Sequence, residues 1–244
     1  MQNDQPADRP LMTSIDDADS CIAKLSDPDP CVIAEGAFGL SWHGDSRNNA
    51  RLLPLLEHND ECVRWAAIMG LANVVTGHVE EALVNLCASD PVARVRAASV
   101  SRLAHGSKKA MAAIATAADD PYPEVRIQVA MAFIWRRCRL GTRVLRRMLT
   151  DPIWKVRWAA CSVLLQHKII DARVINAVEQ LSQEPEAAQH DVNMLALREE
   201  LHTRLRESEH LADIISGSRT TQEMLDYARE LAATRRGLWG IIRS

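Results

Sequence analysis

The chain has 244 residues, of which 47% are hydrophobic and only 4% aromatic, and its formal net charge is −3. This composition is typical of packed helices and argues against a β-sandwich built from aromatic strands. No stretch approaches the roughly 18 uninterrupted apolar residues of a membrane span, which predicts a soluble, cytoplasmic protein without a transmembrane segment. The charge is uneven, because residues 1–60 carry 4 basic and 11 acidic side chains, whereas residues 101–160 carry 12 basic and 4 acidic ones.

The N-terminal segment, residues 1–14, is expected to be a flexible tail. Its first ten residues, MQNDQPADRP, are polar and include two prolines. They lack the apolar core of a signal peptide, and nothing in them favours regular structure.

An internal repeat of about 31 residues occupies the next part of the chain. Five segments share a turn, a valine and a run of small and apolar residues, and the valines are spaced 31, 32, 30 and 31 residues apart: Val32, Val63, Val95, Val125 and Val156. Four of the turns contain an Asp-Pro pair, which predicts an N-cap and an N1 proline for the following helix, at Asp27-Pro28, Asp90-Pro91, Asp120-Pro121 and Asp151-Pro152.

The apolar pattern of each repeat predicts a pair of helices. Apolar or small residues stand at offsets 0, 4, 5 and 8 from the valine, which places them on one stripe of a helix. Offset 4 carries the small or slender residues Gly36, Ala67, Ser99, Val129 and Ala160, which predict a close neighbour. Eleven residues before each valine stands the inner face of a preceding helix, at Cys21, Leu52, Val84, Ile114 and Leu145. Such a hairpin cannot bury its stripe alone, so we predict a right-handed, all-α solenoid of five to six hairpins.

The signature D-P-x-x-x-V-R, followed by small and apolar positions, resembles the short bacterial HEAT-like repeats found in phycobilisome bilin lyases. The resemblance covers residues 15–168, which we take as five repeats. Repeat two departs from it with His58-Asn59 in place of Asp-Pro, and repeat one has Ile33 where the others have arginine. The resemblance implies a fold and leaves the function open, since such folds serve many roles.

The remaining residues, 169–244, are predicted to close the array. A degenerate sixth helix pair is expected at 171–207, with a hinge at Pro185, and a capping helix at about 220–236. The basic and apolar tail RRGLWGIIRS is expected to fold back over the end of the array. A docking peptide or a membrane-surface anchor is the alternative for this tail.

An arginine directly follows the valine in four repeats, at Arg64, Arg96, Arg126 and Arg157. This offset lies near the centre of the buried stripe, and a buried arginine needs a paired acceptor. An aspartate stands six residues earlier in three repeats, so we predict a structural ladder rather than a phosphate-binding row. The predicted pairs are Asp90 with Arg96, Asp120 with Arg126, and Asp151 with Arg157.

The opposite face of the second helices is the predicted partner-binding groove. In HEAT-like solenoids these helices line the concave surface, and here their outward offsets carry almost no charge. An exposed apolar and aromatic face of this kind usually marks a docking surface. The alternative is packing between neighbouring helices. The residues of this predicted groove are Phe38, Trp42, Trp65, Met69, Ile127, Met131, Trp135 and Trp158.

A second candidate surface is basic. Arginine clusters suit acidic proteins or phosphates, and Arg143 and Arg147 are expected to project outward from their helix. Nucleic acid is an open but less favoured partner, and the acidic N-terminal repeats of another copy would make a homo-oligomer. The alternative is that these basic residues form an ordinary solvated face. The cluster consists of Arg136, Arg137, Arg139, Arg143, Arg146, Arg147 and Lys155.

No motif points to catalysis, a metal or a cofactor. The six cysteines are scattered without a CxxC pair, which favours packing roles, and the sequence has no P-loop, nucleophile elbow or HExxH motif. It also lacks the His-Glu pairs of deoxyhypusine hydroxylase, a HEAT-like enzyme, and its groove lacks the basic residues of HEAT-like DNA glycosylases. We therefore predict a non-catalytic scaffold or adaptor that binds another protein. Ligand handling like that of bilin lyases is the alternative.

Overall fold

The computed structural model describes residues 16–71 and 77–184, together with residues 196, 197, 199–201 and 203. The predicted N-terminal tail, the capping helix and the C-terminal tail lie outside these residues. Within them all regular structure is helical, as the composition predicts. The α-helices are α1 Ala18–Lys24, α2 Pro30–Gly39, α3 Asn49–Leu52, α4 Glu61–Gly70, α5 Gly77–Ser89, α6 Ala93–Leu103, α7 Lys108–Thr116, α8 Pro123–Ala132, α9 Arg139–Met148, α10 Trp154–Gln166 and α11 Ala172–Gln183.

Short 3₁₀ turns connect or extend these helices at Leu40–Trp42, Ser46–Asn48, Leu53–Glu57 and Ala117–Asp119. First and second helices alternate along the repeats, which confirms the predicted helical hairpins. The chain divides into two compact units, residues 1–82 and 83–244, with the boundary inside α5. In unit 1 the second helices α2 and α4 pack together, and in unit 2 α8 packs between α6 and α10. None of the helices in the described ranges is long and apolar enough to cross a membrane.

The predicted stripe of the second helices forms the core. The repeat valines from Val63 onward are fully buried, and so is the apolar residue eight positions later in every repeat. Repeat one differs, because Ile33 occupies the buried place of the arginine and Val32 is half-buried. In the first helix of repeat three, Leu83 is buried and Val84 is half-buried, so the prediction for Val84 is wrong by one position.

The Asp-Pro turns do not cap the second helices in the predicted way. In unit 2 these helices begin three residues after the aspartate, and each aspartate instead accepts the backbone N–H two residues ahead in an Asx turn. The carboxylate Oδ1 of Asp90, Asp120 and Asp151 lies 2.9 Å from that nitrogen in all three turns. In repeat one the N-cap and the N1 proline are Asp29 and Pro30, two residues after the predicted Asp27-Pro28 pair, and in repeat four α8 begins at Pro123.

In unit 1, two glycines of the second helices allow close backbone contacts. A Cβ atom on Gly70 of α4 would lie 2.2 Å from the carbonyl oxygen of Ala37 on α2, and one on Gly36 of α2 would lie 2.6 Å from the carbonyl oxygen of Cys21 on α1. Real Cβ atoms do not tolerate such distances, so only glycine permits this backbone contact. The close neighbour expected at Gly36 is therefore present.

Candidate functional site

The arginine ladder joins successive repeats of unit 2. Arg96 makes a bidentate ion pair with Asp120, in which Nε donates to Oδ2 over 2.7 Å and Nη2 to Oδ1 over 3.0 Å. Arg126 pairs with Asp151 in the same way, at 2.7 and 2.9 Å. Arg157 pairs with Glu184. The predicted side-chain pairs within a repeat are therefore wrong, since each of these three arginines pairs with an acid of the following repeat.

The turn of the arginine's own repeat is bound through its backbone. Nη1 of Arg96 donates to the carbonyl oxygens of Asp90 and Pro91, at 2.8 and 3.2 Å, and Arg126 and Arg157 repeat this pattern in their own turns. In unit 1, Arg64 binds two turn carbonyls likewise. The guanidinium groups of Arg96, Arg126 and Arg157 thus bind their own turn through Nη1 and an acid of the following repeat through the remaining nitrogens. This arrangement leaves Arg96 and Arg126 with protein partners, which favours the structural interpretation over phosphate binding.

Asp120 is held as a carboxylate by this geometry. Burial raises the pKa of the Asp120 carboxyl, but the hydrogen bonds from Arg96 and from the backbone N–H of Tyr122 outweigh burial and leave the pKa lowered. The Asp120 side chain is 8% exposed and its arginine partner 9%. This ion pair is therefore shielded from water and contributes to the fold.

A second set of links uses the position eleven residues after the valine. Nη1 of Arg136 donates to the carbonyl oxygen of Gly106 over 2.8 Å. Nε2 of His43 and Nε2 of His167 each lie 3.0 Å from a carbonyl oxygen, that of Asp16 and that of Ile134. Because a carbonyl oxygen only accepts, the histidine Nε2 atoms are the donors. The side chains of these two histidines therefore join neighbouring turns by hydrogen bonds.

The part of the predicted groove in unit 1 contains an aromatic pair. The rings of Phe38 and Trp65 stack with centroids 5.6 Å apart and an interplanar angle of 13°. Both side chains are half-buried, as is Met69, whereas Trp42 is 61% exposed. Packing between neighbouring helices thus accounts for part of this face, and Trp42 is its exposed member.

In unit 2 the predicted groove residues form what we call the unit 2 aromatic surface: Ile127, Met131, Trp135 and Trp158. Ile127 and Trp158 are half-buried on the adjacent helices α8 and α10. Met131 is 36% exposed and Trp135 is 77% exposed, although Phe133 between them is fully buried. Two large apolar side chains therefore face solvent at the end of α8.

The seven residues of the predicted basic cluster are divided among several places. Arg136 is a link between turns, Arg146 pairs with Asp171 at 2.6 Å, and the Lys155 ammonium lies 5.7 Å from the centroid of the Trp154 ring. Arg137 is exposed beside Arg136. The other three, which we call the α9 arginine stripe, are exposed along one side of α9: Arg139, Arg143 and Arg147.

A pocket of about 430 Å³ lies beside the α9 arginine stripe. Its walls come from the end of α7, the following 3₁₀ turn and α9, and they include Arg143, Arg147 and Asp119. Sequence reasoning identified the two arginines but not the pocket. Little in the sequence indicates this pocket. Its lining residue Asp119 is the first of two adjacent aspartates, and only the second, Asp120, fits the repeat.

The cysteines in the described residues are divided between buried and exposed positions. Burial raises the pKa of the Cys87 thiol to about 11 and that of the Cys161 thiol to about 12, so both stay protonated at neutral pH. Cys31 and Cys62, which we expected to be packed, are exposed in the first turns of α2 and α4. No cluster of three or more His, Cys, Asp or Glu side chains suited to a metal ion is found in the part of the chain that the structure describes.

Comparison with known proteins shows the family. The model of the HEAT repeats matches residues 18–104 and 106–193, which together exceed half of the chain. No curated protein sequence matches the chain. The complex of CpcE and CpcF of phycocyanin lyase from Nostoc sp. PCC7120 is similar in structure, with a TM-score of 0.57, 17% identity, and coverage of 93% of this chain and 99% of that one.

Two further structures are less similar. A designed armadillo repeat protein is 20% identical, with a TM-score of 0.43, and the match covers 76% of this chain and 100% of that chain. Human deoxyhypusine hydroxylase has 15% identity and a TM-score of 0.39, with coverage of 79% and 74%. At these identities the likenesses concern the fold alone. The matched repeats show that the chain belongs to the HEAT-repeat proteins and is an α-solenoid.

Proposed function

We propose that the chain is a non-catalytic scaffold or adaptor that binds a partner protein through the unit 2 aromatic surface. The observation that carries this proposal is the contrast between Phe133 and Trp135, two residues apart, of which the first is fully buried and the second 77% exposed. Leaving an indole and the neighbouring Met131 in water forgoes the stabilisation that their burial would give. Tryptophan in such a position is a frequent anchor of protein interfaces.

The backbone that presents Trp135 is held in place. Arg136, the next residue, donates to the carbonyl oxygen of Gly106, and the carbonyl oxygen of Ile134, the preceding residue, accepts from His167. Trp135 is therefore flanked on both sides by links to neighbouring turns. A side chain displayed from a fixed backbone loses little freedom on binding, which favours affinity.

In unit 1, Trp42 is the corresponding exposed residue, and the Phe38–Trp65 stack lies half-buried on the same set of second helices. We include these residues as a secondary contact. Truncating Trp65 should cost stability as well as binding, since an aromatic pair of this geometry contributes about 0.5–1.5 kcal/mol beyond its burial. We expect the protein to act in the cytoplasm, on the basis of its composition.

Tetrapyrrole handling like that of the bilin lyases receives no support from a particular site. The likeness to the CpcE–CpcF complex, at 17% identity, concerns the fold. A visible absorbance band that copurifies with the protein and is lost in Trp135→Ala would favour this alternative over a protein partner.

Site-specific photo-crosslinking tests the proposal. A benzophenone side chain placed at Trp135 should crosslink to a partner protein in cells, whereas the same group at Gln180, exposed on the first helix α11, should not. Purified parent protein should compete with the crosslink in a lysate, and Trp135→Ala protein should compete poorly. Equal crosslinking from both positions, or equal competition by the variant, would contradict the proposal.

A further inference from the structure

The α9 arginine stripe places three like charges one helical turn apart. Arg139, Arg143 and Arg147 stand at i, i+4 and i+8 and are all exposed. Like charges at this spacing repel each other and destabilise a helix. A helix that needed only a solvated face could mix the signs of its charges, so this stripe suggests an external anion.

The stripe has little internal compensation. Arg147 lies 3.2 Å from Asp119, but both side chains are largely exposed, at 55% and 71%, so this ion pair is weak. Neither Arg139 nor Arg143 makes an ion pair with any residue in the described ranges. By contrast, Arg146 on the adjacent side of α9 is 26% exposed and pairs with Asp171 at 2.6 Å. Helix α9 thus carries Arg146, which is paired with an aspartate, beside a stripe of arginines that face solvent.

The pocket beside the stripe is amphipathic. Ala115 of α7 and Leu140 and Val144 of α9 give it an apolar lining, and the remaining walls include the charged side chains of Asp119, Arg143 and Arg147. A volume of about 430 Å³ accommodates one or two large apolar side chains of a partner. The combination fits a ligand that carries both an apolar group and carboxylates.

We propose that this pocket is a second binding site, and that it takes an acidic amphipathic helix of a partner protein. An apolar side chain of the partner enters the pocket between α7 and α9, and two carboxylates one turn apart accept hydrogen bonds from Arg143 and Arg147. Four residues of an α-helix rise about 6 Å, so acidic residues at i and i+4 match arginines at i and i+4. Guanidinium and carboxylate groups form bidentate pairs of this kind.

The apolar lining argues for a peptide rather than nucleic acid. Ala115, Leu140 and Val144 offer nothing to a sugar–phosphate backbone, whose affinity comes from its charge. A partner side chain fits the same lining well. The site lies on the first helices α7 and α9, whereas the unit 2 aromatic surface lies on the second helices α8 and α10. Either site can therefore fail a test without affecting the other.

Fluorescence anisotropy with labelled helical peptides tests this proposal. The probes are 18-residue peptides with leucine, methionine or phenylalanine on one face and glutamate pairs at i and i+4, each matched by a glutamine version. At low salt at least one glutamate peptide should bind, and its affinity should fall about tenfold or more in the variant Arg143→Glu/Arg147→Glu. The loss should shrink as salt rises, because screening weakens exposed charge pairs.

Control variants separate the site from general charge. Arg51→Glu/Arg173→Glu changes the net charge equally at two exposed positions outside the pocket and should leave peptide affinity within about twofold. Ala115→Leu fills the pocket without changing charge, so it should weaken binding of the glutamate peptides. Any binding to heparin, an anionic polymer that reports surface charge alone, should stay unchanged. If the double reversal lowers the melting temperature, Arg143→Ala replaces it, since Arg143 makes no ion pair with the residues that the structure describes.

Four results would overturn the proposal. They are no binding by any glutamate peptide, equal binding of the glutamate and glutamine versions, equal losses in the two double variants, and tighter binding of a single-stranded oligodeoxynucleotide or of phosphatidylserine vesicles than of every peptide. Loss of peptide binding in Arg143→Glu/Arg147→Glu with full crosslinking at Trp135 would support this site and leave the proposed function unaffected.

Discussion

The two units of the chain contain the same repeat, but different interactions hold their second helices together. In unit 1, Gly70 brings the backbone of α4 against the backbone of α2, at a distance that a Cβ atom would forbid. In unit 2, buried arginine–aspartate pairs join successive repeats, from Arg96 to Asp120 and from Arg126 to Asp151. The core valine is common to both units from Val63 onward, so the difference lies in the means of attachment.

The sequence position of the glycines explains this difference. Seven residues after the valine, unit 1 has Gly39 and Gly70, while unit 2 has larger residues there: Arg102, Ala132 and Val163. A side chain at this position excludes the backbone contact that Gly70 makes, and in unit 2 arginine–aspartate ion pairs join the turns instead. A repeat can therefore keep its buried stripe while either steric contact or ion pairs hold neighbouring repeats together.

The largest loss of stability should come from breaking an arginine–aspartate ion pair of unit 2. Arg126→Ala leaves the Asp151 carboxylate, which is 9% exposed, without its partner, so the free energy of unfolding should fall by about 3–5 kcal/mol. Urea denaturation followed by circular dichroism measures this fall. Lys24→Ala in unit 1 is the control, since its ion pairs with Asp16 and Glu35 are partly solvated and should contribute at most about 1 kcal/mol. Equal losses in the two variants would contradict the distinction between the units.

A smaller effect should follow from adding a methyl group in unit 1. Gly70→Ala places a carbon 2.2 Å from the Ala37 carbonyl oxygen, so α2 and α4 must move apart. We expect a loss of about 1–3 kcal/mol from overpacking, partly offset by the better helix propensity of alanine. The control is Ser101→Ala on the exposed side of α6, which should change stability by less than about 0.5 kcal/mol. A Gly70→Ala protein more stable than the parent would show that the close contact is unimportant.

The acid dependence of unit 2 should show a further, smaller effect. The pKa of Asp120 is lowered in the folded chain, so its contribution to stability is complete above the unfolded pKa of about 4 and is lost as the pH falls through the folded pKa. Asp120→Asn should therefore be less stable than the parent at neutral pH, and its stability should depend less on pH below about 4. Asp119→Asn, at the exposed neighbouring position, is the matched control. Parallel pH curves for the parent and Asp120→Asn would contradict this account of the ion pair.

The sequence predicted most of the fold because the repeat constrains it. The buried valines, the apolar residue eight positions later and the close neighbour at Gly36 follow from helical periodicity alone. The partner of each arginine could not be predicted in this way. Asp120 stands at a regular distance both from Arg126, six residues later, and from Arg96, twenty-four residues earlier, and only the packing of successive turns distinguishes them.

The candidate surfaces were harder to predict, because periodicity gives the direction of a side chain but not what covers it. Trp65 and Trp135 both lie on the outward face by sequence, yet Trp65 is half-buried against Phe38 and Trp135 is exposed. The seven basic residues likewise lie in different surroundings: Arg136 and Arg146 bind other elements, whereas the α9 arginine stripe faces solvent. Side-chain contacts between neighbouring elements decide such cases, and a single sequence does not record them.

The most direct test of the proposed scaffold function is stability and binding measured together on Trp135→Ala. The exposed indole should contribute little to the fold, so the melting temperature should stay within about 1 °C of the parent, while affinity for the crosslinked partner should fall about thirtyfold or more. Phe133→Ala, two residues away and buried, is the control and should lose about 3–5 kcal/mol of stability. A Trp135→Ala protein that melts early, or that binds the partner as the parent does, would contradict the account.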